Sequence, residues 1–325
     1  MSFGQLVIGP PGCGKTTYCH GISQFYTAIE RDHAIINLDP ANDGIPYKPD
    51  IDISDLITLS DVMEEFSLGP NGGLIYCLEY LETNLDWLLE QLVKLKGKYL
   101  IFDLPGQVEL FTNHMSLRNI ILKLQSLDYR LCVIHLLDSH YCVDPSKYLS
   151  MLMVSLKSML LLESPHVNVL SKIDLIESYG ELAFNLEYYT QVQDLSFILD
   201  RLNQDTFTKK YQKLNASLCE LVEDFGLVGF STLCIQDKDS VLNLVRIIDK
   251  ANGYIYGGLE EGNESIFQVA ERWDIWDQYT KEVAEKYMKR PEDIDGDLDM
   301  DDIQEMYPGI GGLVNETILE HEVEN

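Results

Sequence analysis

Near its start the chain carries Gly9-Pro10-Pro11-Gly12-Cys13-Gly14-Lys15-Thr16. The octet has the spacing G-x-x-x-x-G-K-[ST], and its residue types are those of a phosphate-binding loop. Glycines let the backbone fold back so that successive N–H groups point inward at an anion. Lys15 can reach the β- and γ-phosphates of a nucleoside triphosphate, and the Thr16 hydroxyl can ligate Mg²⁺. Thr17 completes the set expected to touch the nucleotide. An apolar run, Phe3 to Ile8, precedes the loop and a helix-compatible run, Thr17 to Ile29, follows it. Strand, loop and helix in that order are the context the motif needs, and the helix adds its positive dipole end.

Three further clusters could complete a nucleotide site. Asp103-Leu104-Pro105-Gly106 ends an apolar run. Its carboxylate can hold the Mg²⁺ shell, and the Gly106 N–H can meet the γ-phosphate. Gln107 then stands where an attacking water would be oriented, with Glu109 able to support the same water. Asp39, before Pro40, is either a second Mg²⁺ ligand or water base, or a turn-former of the Asp-Pro kind. In Ser171-Lys172-Ile173-Asp174, the Asp174 carboxylate can accept both N1–H and N2–H of guanine, a pair of donors that adenine lacks. The Lys172 stem can pack along base and ribose. Near Cys234 a backbone N–H could donate to guanine O6. Gly69-Pro70-Asn71-Gly72-Gly73 reads by itself as a surface turn, although Asn71 offers both a donor and an acceptor.

The elements that must position these residues alternate. Strand-length apolar runs fall at Phe3–Ile8, Ala34–Leu38, Tyr99–Phe102, Leu131–Leu137, Val167–Leu170 and Val228–Cys234. Several are apolar throughout, as strands covered on both faces are. Helical spacing marks Leu56–Phe66, Asn84–Leu95, Pro145–Leu162, Phe207–Asp224 and Ser240–Ala251, with Asn84 expected as an N-cap and Gly253 as a C-terminal glycine. This pattern predicts an α/β fold, a mostly parallel sheet flanked by helices, with ligand residues at the carboxyl ends of the strands. Residues 175–226 show no clear strand and read as a helical insertion. Residues 264–289 could be helical, since Ile266, Val269, Trp273 and Trp276 share a face. The expected divisions are a nucleotide-binding domain over 1–257, a helical extension over 258–290, and an acidic tail over 291–325 that lacks the apolar residues to order itself. Asp293-Ile294-Asp295-Gly296-Asp297 resembles a calcium loop only in passing, without flanking helices or full ligand register.

The formal net charge is −29. Such a field disfavours nucleic acid and anionic membrane as partners. Seven cysteines, an odd number, form no C-x-x-C pair, and a disulfide at Cys13 would distort the phosphate loop, so a reducing, intracellular setting is expected. The start of the chain lacks the pattern of a signal peptide. Leu149–Leu162 is shorter than the roughly 20 residues needed to span a bilayer.

With Gly69-Pro70-Asn71 lying between the phosphate loop and Asp103-Leu104-Pro105-Gly106-Gln107-Val108-Glu109, the sequence resembles the GPN-loop GTPases. The likeness runs from about Phe3 to Tyr256. It includes Asn37-Leu38-Asp39-Pro40-Ala41-Asn42, Leu136-Leu137-Asp138-Ser139 and Asp249-Lys250-Ala251-Asn252-Gly253-Tyr254. The resemblance implies a dimerising P-loop NTPase that binds GTP with Mg²⁺ and hydrolyses it. It implies Thr16, Asp39 and Asp103 as metal residues, Asp39, Gln107 and Glu109 as water residues, and Lys172 and Asp174 as base readers. It also implies that the loop Gly69, Pro70, Asn71 reaches the phosphates of a partner subunit, in a homodimer or a heterodimer with a related GPN-loop GTPase. Assembly and nuclear import of RNA polymerase II and related polymerases come with the family, as does a cytoplasmic location with shuttling to the nucleus. The guanine motif usually begins with Asn and here begins with Ser171, too short to make the same contacts with base pocket and phosphate loop, so a lower guanine affinity is expected. Two rivals remain: a P-loop nucleotide or metabolite kinase, which would need an arginine-rich lid this Arg-poor chain lacks, and a non-hydrolysing GTP-bound adaptor.

Overall fold

The six apolar runs form strands because alternate residues of each find a hydrophobic layer on both sides of one sheet, and a two-residue strand joins its edge as a seventh. The structure, a computed structural model, describes residues 2–42, 44–192, 194–204, 208–254, 283, 286 and 287. The predicted helical face in 264–289, apart from Val283, Lys286 and Tyr287, and the acidic residues 291–325 lie outside the described residues. The strands are β1 (Ser2–Ile8), β2 (His33–Asn37), β3 (Ile51–Asp52), β4 (Tyr99–Asp103), β5 (Tyr129–Asp138), β6 (His166–Ser171) and β7 (Phe230–Leu233). Their order is β3-β2-β4-β1-β5-β6-β7, and every pair is parallel.

Successive residues of β1 face opposite layers, as the period of two requires. Leu6 and Ile8 join a cluster with Leu78 and Leu81 of α3 (Pro70–Thr83), Leu88 and Leu92 of α4 (Leu85–Lys94) and Ile120, Ile121 and Leu124 of α6 (Ser116–Ser126). Val7 points the other way, to Tyr18, Ile22 and Tyr26 of α1 (Lys15–Ala28) and to Val241, Leu244 and Ile248 of α12 (Lys238–Asn252). The remaining helices are α2 (Leu59–Phe66), α5 (Val108–Thr112), α7 (Pro145–Leu162), α8 (Ile176–Tyr179), α9 (Leu186–Gln191), α10 (Ser196–Gln204) and α11 (Gln212–Phe225). Between Leu175 and Gly226 there are helices and no strand among the described residues, and α9–α11 pack with α7 in a third cluster. No helix among the described residues is long and apolar enough to cross a membrane.

Asp249-Lys250-Ala251-Asn252-Gly253-Tyr254 proves to be a latch at the amino end of the sheet. The Arg31 guanidinium donates to both oxygens of Asp249, at 2.9 and 2.6 Å, and lies over the Tyr26 and Tyr254 rings at 4.6 and 4.4 Å. Asn252 Nδ2 donates to the Tyr99 hydroxyl at 2.8 Å. Gly253 ends α12 at φ 76, the left-handed conformation glycine adopts without strain.

Two local expectations change. Asn84 does not cap α4 with its side chain; Nδ2 instead donates back to Tyr80 O at 2.9 Å, closing α3. The Gly-Pro-Asn segment is not a free turn but the start of α3, with Gly69 as N-cap and Pro70 in the first turn. Proline suits that place because its missing N–H would be unpaired there anyway. Gly73 is held there by packing, since a Cβ on it would lie 2.6 Å from Leu59 Cδ1 of α2.

Candidate nucleotide site

Every predicted site residue except Asn71 and its neighbours belongs to the carboxyl ends of the strands, to the loops that leave them or to the first turns of the helices that follow. The connection from β1 runs to β2 on one side of the sheet and that from β4 passes β1 to β5 on the other, so the phosphate loop lies at the topological switch point, where open α/β sheets bind ligands. The ends of β2 and β4 put Asp39 and Asp103 on one side. The ends of β5, β6 and β7 put Asp138, Lys172, Asp174 and Cys234 on the other.

The loop folds back through glycines. Gly9, Gly12 and Gly14 have φ of 147, 80 and 93. Gly9 also meets its neighbour strand, for a Cβ there would lie 2.2 Å from Leu136 O. Pro10 is half-buried, Pro11 is exposed, and Thr17 is exposed on the first turn of α1. Lys15 is 8% exposed. Its Nζ donates to Gly9 O at 3.1 Å and to Pro10 O at 3.4 Å. A Cβ on Gly106 would stand 2.6 Å from that Nζ. The Asp-x-x-Gly segment and the lysine thus share one space that only glycine leaves open.

Asp103 is 1% exposed. The Tyr47 hydroxyl donates to its Oδ2 at 2.7 Å. Asn42 Nδ2 lies 3.0 Å from Thr16 Oγ1 and 3.5 Å from the same carboxylate oxygen. Burial pushes the Asp103 carboxyl up, against the hydrogen bonds from Tyr47 and Thr16. Asp39 is likewise pushed up by burial, opposed by the Ala41 amide and Lys15. Asp39 takes the turn-forming role that the sequence left open to it, its Oδ1 accepting the Ala41 amide at 3.0 Å. Among the buried side-chain oxygens without a hydrogen-bond partner are two of the residues expected at this site, Asp103 Oδ1 and Gln107 Oε1. Gln107 begins α5, and Glu109 is exposed one step further along it.

This donor set fits Mg²⁺. No group of three or more His, Cys, Asp and Glu side chains gathers among the described residues, and Mg²⁺ does not ask for one. It takes one or two carboxylates and completes its shell with water and phosphate. Thr16, Asp103 and Asp39 would supply that number, and Asp103 Oδ1, which has no hydrogen-bond partner, is available to such a shell.

The other half is assembled around Ser171. Its Oγ lies 2.8 Å from Cys13 O and 3.0 Å from Leu137 O. Ser171 does reach the phosphate loop, because β6 brings its hydroxyl against the Cys13 carbonyl. Cys13 is buried, and desolvation pushes its thiol up to about 11. Lys172 has φ 57, a left-handed conformation that costs a non-glycine residue energy and marks functional sites. The Lys172 Nζ donates to Gly12 O at 2.7 Å and pairs with Asp138 Oδ2 at 2.7 Å. Ser139 Oγ holds the Lys172 carbonyl at 2.9 Å. Asp174 is exposed and makes no hydrogen bond to a described residue. The Cys234 N–H, expected to face the base, donates instead to Ser240 Oγ at 3.0 Å.

Gly69, Pro70 and Asn71 are exposed. Leu74, Ile75 and Tyr76 behind them are half-buried, and the Tyr76 ring lies against exposed Phe66 at 4.6 Å. Sequence reasoning gave no role to Tyr47, Asn42 or Asp138. Asn42 and Asp138 stood in quoted motifs, whereas nothing in the pattern around Tyr47 shows that a loop folds it onto Asp103.

A family model described as "Conserved hypothetical ATP binding protein" matches residues 7–254. The chain is 55% identical over 295 residues to GPN-loop GTPase QQT1 of Arabidopsis thaliana, covering 90% of this chain and 99% of that one. It is 52% identical over 289 residues to GPN-loop GTPase 2 of Danio rerio, covering 89% and 93%. A crystal structure of a GTPase in apo form from Pyrococcus abyssi shares the fold, with a TM-score of 0.61 and 21% identity over 79% of this chain and 98% of that one. On its motifs, its fold and its relatives, the chain belongs to the GPN-loop GTPase family.

Proposed function

We infer that this chain binds GTP with Mg²⁺ and hydrolyses it in a dimer. The carrying observation is the pair of buried, unpartnered oxygens at Asp103 and Gln107, in the segment whose Gly106 leaves room for Lys15. Buried polar groups are almost always hydrogen-bonded, so two orphans in one segment beside the phosphate-loop lysine ask for a ligand. Thr16, Asp39 and Asp103 would hold Mg²⁺, which neutralises charge on the β- and γ-phosphates. Lys15 binds the phosphates. Gln107 orients the water, supported by Glu109, and free phosphate leaves rather than a phosphorylated metabolite. Exposed Asp174 has two acceptor oxygens for guanine N1–H and N2–H, whereas adenine offers an acceptor at N1. This favours GTP over the ATP named in the family description.

Dimerisation is supported by the exposed position of Asn71 at the start of α3 and by the aromatic face of Phe66, Tyr76 and Tyr80 beside it. The same reading takes the chain as a cytoplasmic, nucleus-shuttling assembly factor for RNA polymerase II and related polymerases. Its partners are then polymerase subunits or assembly factors, with no direct contact to nucleic acid or membrane. The net charge of −29 supports that exclusion.

Mixing two defective subunits tests the shared site. Lys15→Ala and Asn71→Ala homodimers should each release little phosphate from GTP. In a mixed dimer, the intact Asn71 of one subunit meets the intact Lys15 site of the other, and hydrolysis returns at one site. No recovery in demonstrated mixed dimers would mean that Asn71 does not act across subunits.

A further inference from the structure

α12 starts at the carboxyl end of β7 and ends beside Tyr99, at the amino end of β4. Tyr254 remains there, packed on Phe3 with ring centroids 5.3 Å apart. Val283, Lys286 and Tyr287 are back at the other end of α12. The Lys286 Nζ donates to Asp237 Oδ2 at 2.6 Å, and the Tyr287 hydroxyl donates to the same oxygen at 3.3 Å. Val283 is 3% exposed, and the i, i+3, i+4 spacing of the three residues puts them on one face of a helical turn.

Asp237 closes the turn that follows β7. Its N–H donates to Cys234 O at 3.1 Å, and its Oδ1 caps α12 through the Asp239 amide at 3.4 Å. The outer oxygen, Oδ2, is the one taken by Lys286 and Tyr287. Within the turn, the amides of Ile235 and Gln236 make no hydrogen bond to a described residue, and Gln236 is exposed. Ile235 lies against α1, since a Cβ on Gly21 would be 2.5 Å from Ile235 Cγ1. The turn is thus held from one side by the helix that starts at the phosphate loop and from the other by Lys286 and Tyr287. It stands beside the end of β6, which carries Ser171, Lys172 and Asp174.

We propose that Val283, Lys286 and Tyr287 are positioning residues for base recognition. They fix Asp237 and through it the Ile235 and Gln236 amides, the donors that meet guanine O6 in place of the occupied Cys234 amide. The proposal rests on the guanine reading above. A donor discriminates among bases only if it cannot swing away, because rejection comes from polar groups left unpaired. An untethered turn could rotate its amides to water and lose that penalty.

The test is equilibrium binding to the full chain of three probes: GTP, 6-thio-GTP, whose sulfur is a poor acceptor at position 6, and ITP, which lacks the N2 amine. The wild type should prefer GTP over both. In Lys286→Ala/Tyr287→Phe, Lys286 being exposed and Tyr287 losing only its hydroxyl, the GTP preference over 6-thio-GTP should shrink about threefold or more, the scale of one neutral hydrogen bond. The preference over ITP, read by Asp174, should stay within about twofold, a shift too small to represent a lost hydrogen bond. Lys286→Arg, which keeps the cation on Asp237, should retain both preferences. If the wild type discriminates and the double variant does so equally, the positioning role is wrong and the guanine reading stands. Parallel collapse of both preferences in the variant would overturn the positioning role in favour of general loosening. A wild type indifferent between GTP and ITP overturns the guanine reading and this proposal together.

Discussion

At the end of β1, Lys15 is 8% exposed and held by two carbonyls, while at the end of β6 the Asp174 carboxylate stands exposed. Asp103 is buried and already hydrogen-bonded by Tyr47. In the base half it is the supports that are tied down: Ser171 to Cys13, Lys172 to Asp138 and Gly12, Asp237 to Lys286. Of the two proposed base readers, Lys172 is tied down as well and only Asp174 is left open. The contrast follows from the two tasks. Stabilising a transferring phosphoryl group needs fixed charges in a dry place. Choosing a base needs a free hydrogen-bonding edge that the wrong base leaves unpaired.

The largest effect that could break this contrast lies in the phosphate half. Gln107→Leu removes the side chain proposed to orient the water while leaving Lys15, Thr16 and Asp103 intact. GTP turnover should fall on the order of a hundredfold, the lower end for a lost positioning group, with nucleotide affinity little changed. Phosphate release and a fluorescent-nucleotide titration read the two separately. Undiminished turnover would move the water to Asp39 or Glu109.

A smaller effect concerns the floor beneath both halves. His135 of β5, paired with Ile8 of β1, hydrogen-bonds Asn168 of β6 at 3.3 Å. Burial lowers its pKa from 6.5 to about 4, so the unfolded chain binds a proton that the folded chain refuses. The resulting stability is full above pH 6.5 and is lost as pH falls toward 4. His135→Gln should remove about 2 kcal/mol of the stability lost between pH 6.5 and 5, at roughly 1.4 kcal/mol per pH unit. Denaturant midpoints at both pH values measure it. An unchanged acid slope would mean that the imidazole titrates freely in the folded chain.

How much of this was legible in the sequence divides along the same line. The buried strands were readable because their residues must be apolar on both faces, and the phosphate loop because its glycines and Lys15 obey fixed spacing. The two-residue β3 and the amphipathic α6 were passed over, the first too short to show a period. The Gly-Pro-Asn segment misled because proline followed by Asn-Gly marks turns and helix starts alike. Only packing of Gly73 on Leu59 decides between them. Tyr47 on Asp103, Ser171 on Cys13 and Lys286 on Asp237 are long-range contacts without local signature. They required the fold.

The central claim is that the phosphate loop and Asp174 hold one guanine nucleotide between them. Asp174→Asn tests it most directly, by comparing phosphate release from GTP and XTP. An amide in place of the carboxylate suits xanthine, whose position 2 carries an oxygen where guanine carries an amine. The account predicts that GTP hydrolysis falls by about tenfold or more, the scale of an unpaired buried acceptor or donor, and that XTP hydrolysis rises in the same protein. Unchanged GTP hydrolysis, or equal loss with both nucleotides in a folded variant, would contradict it.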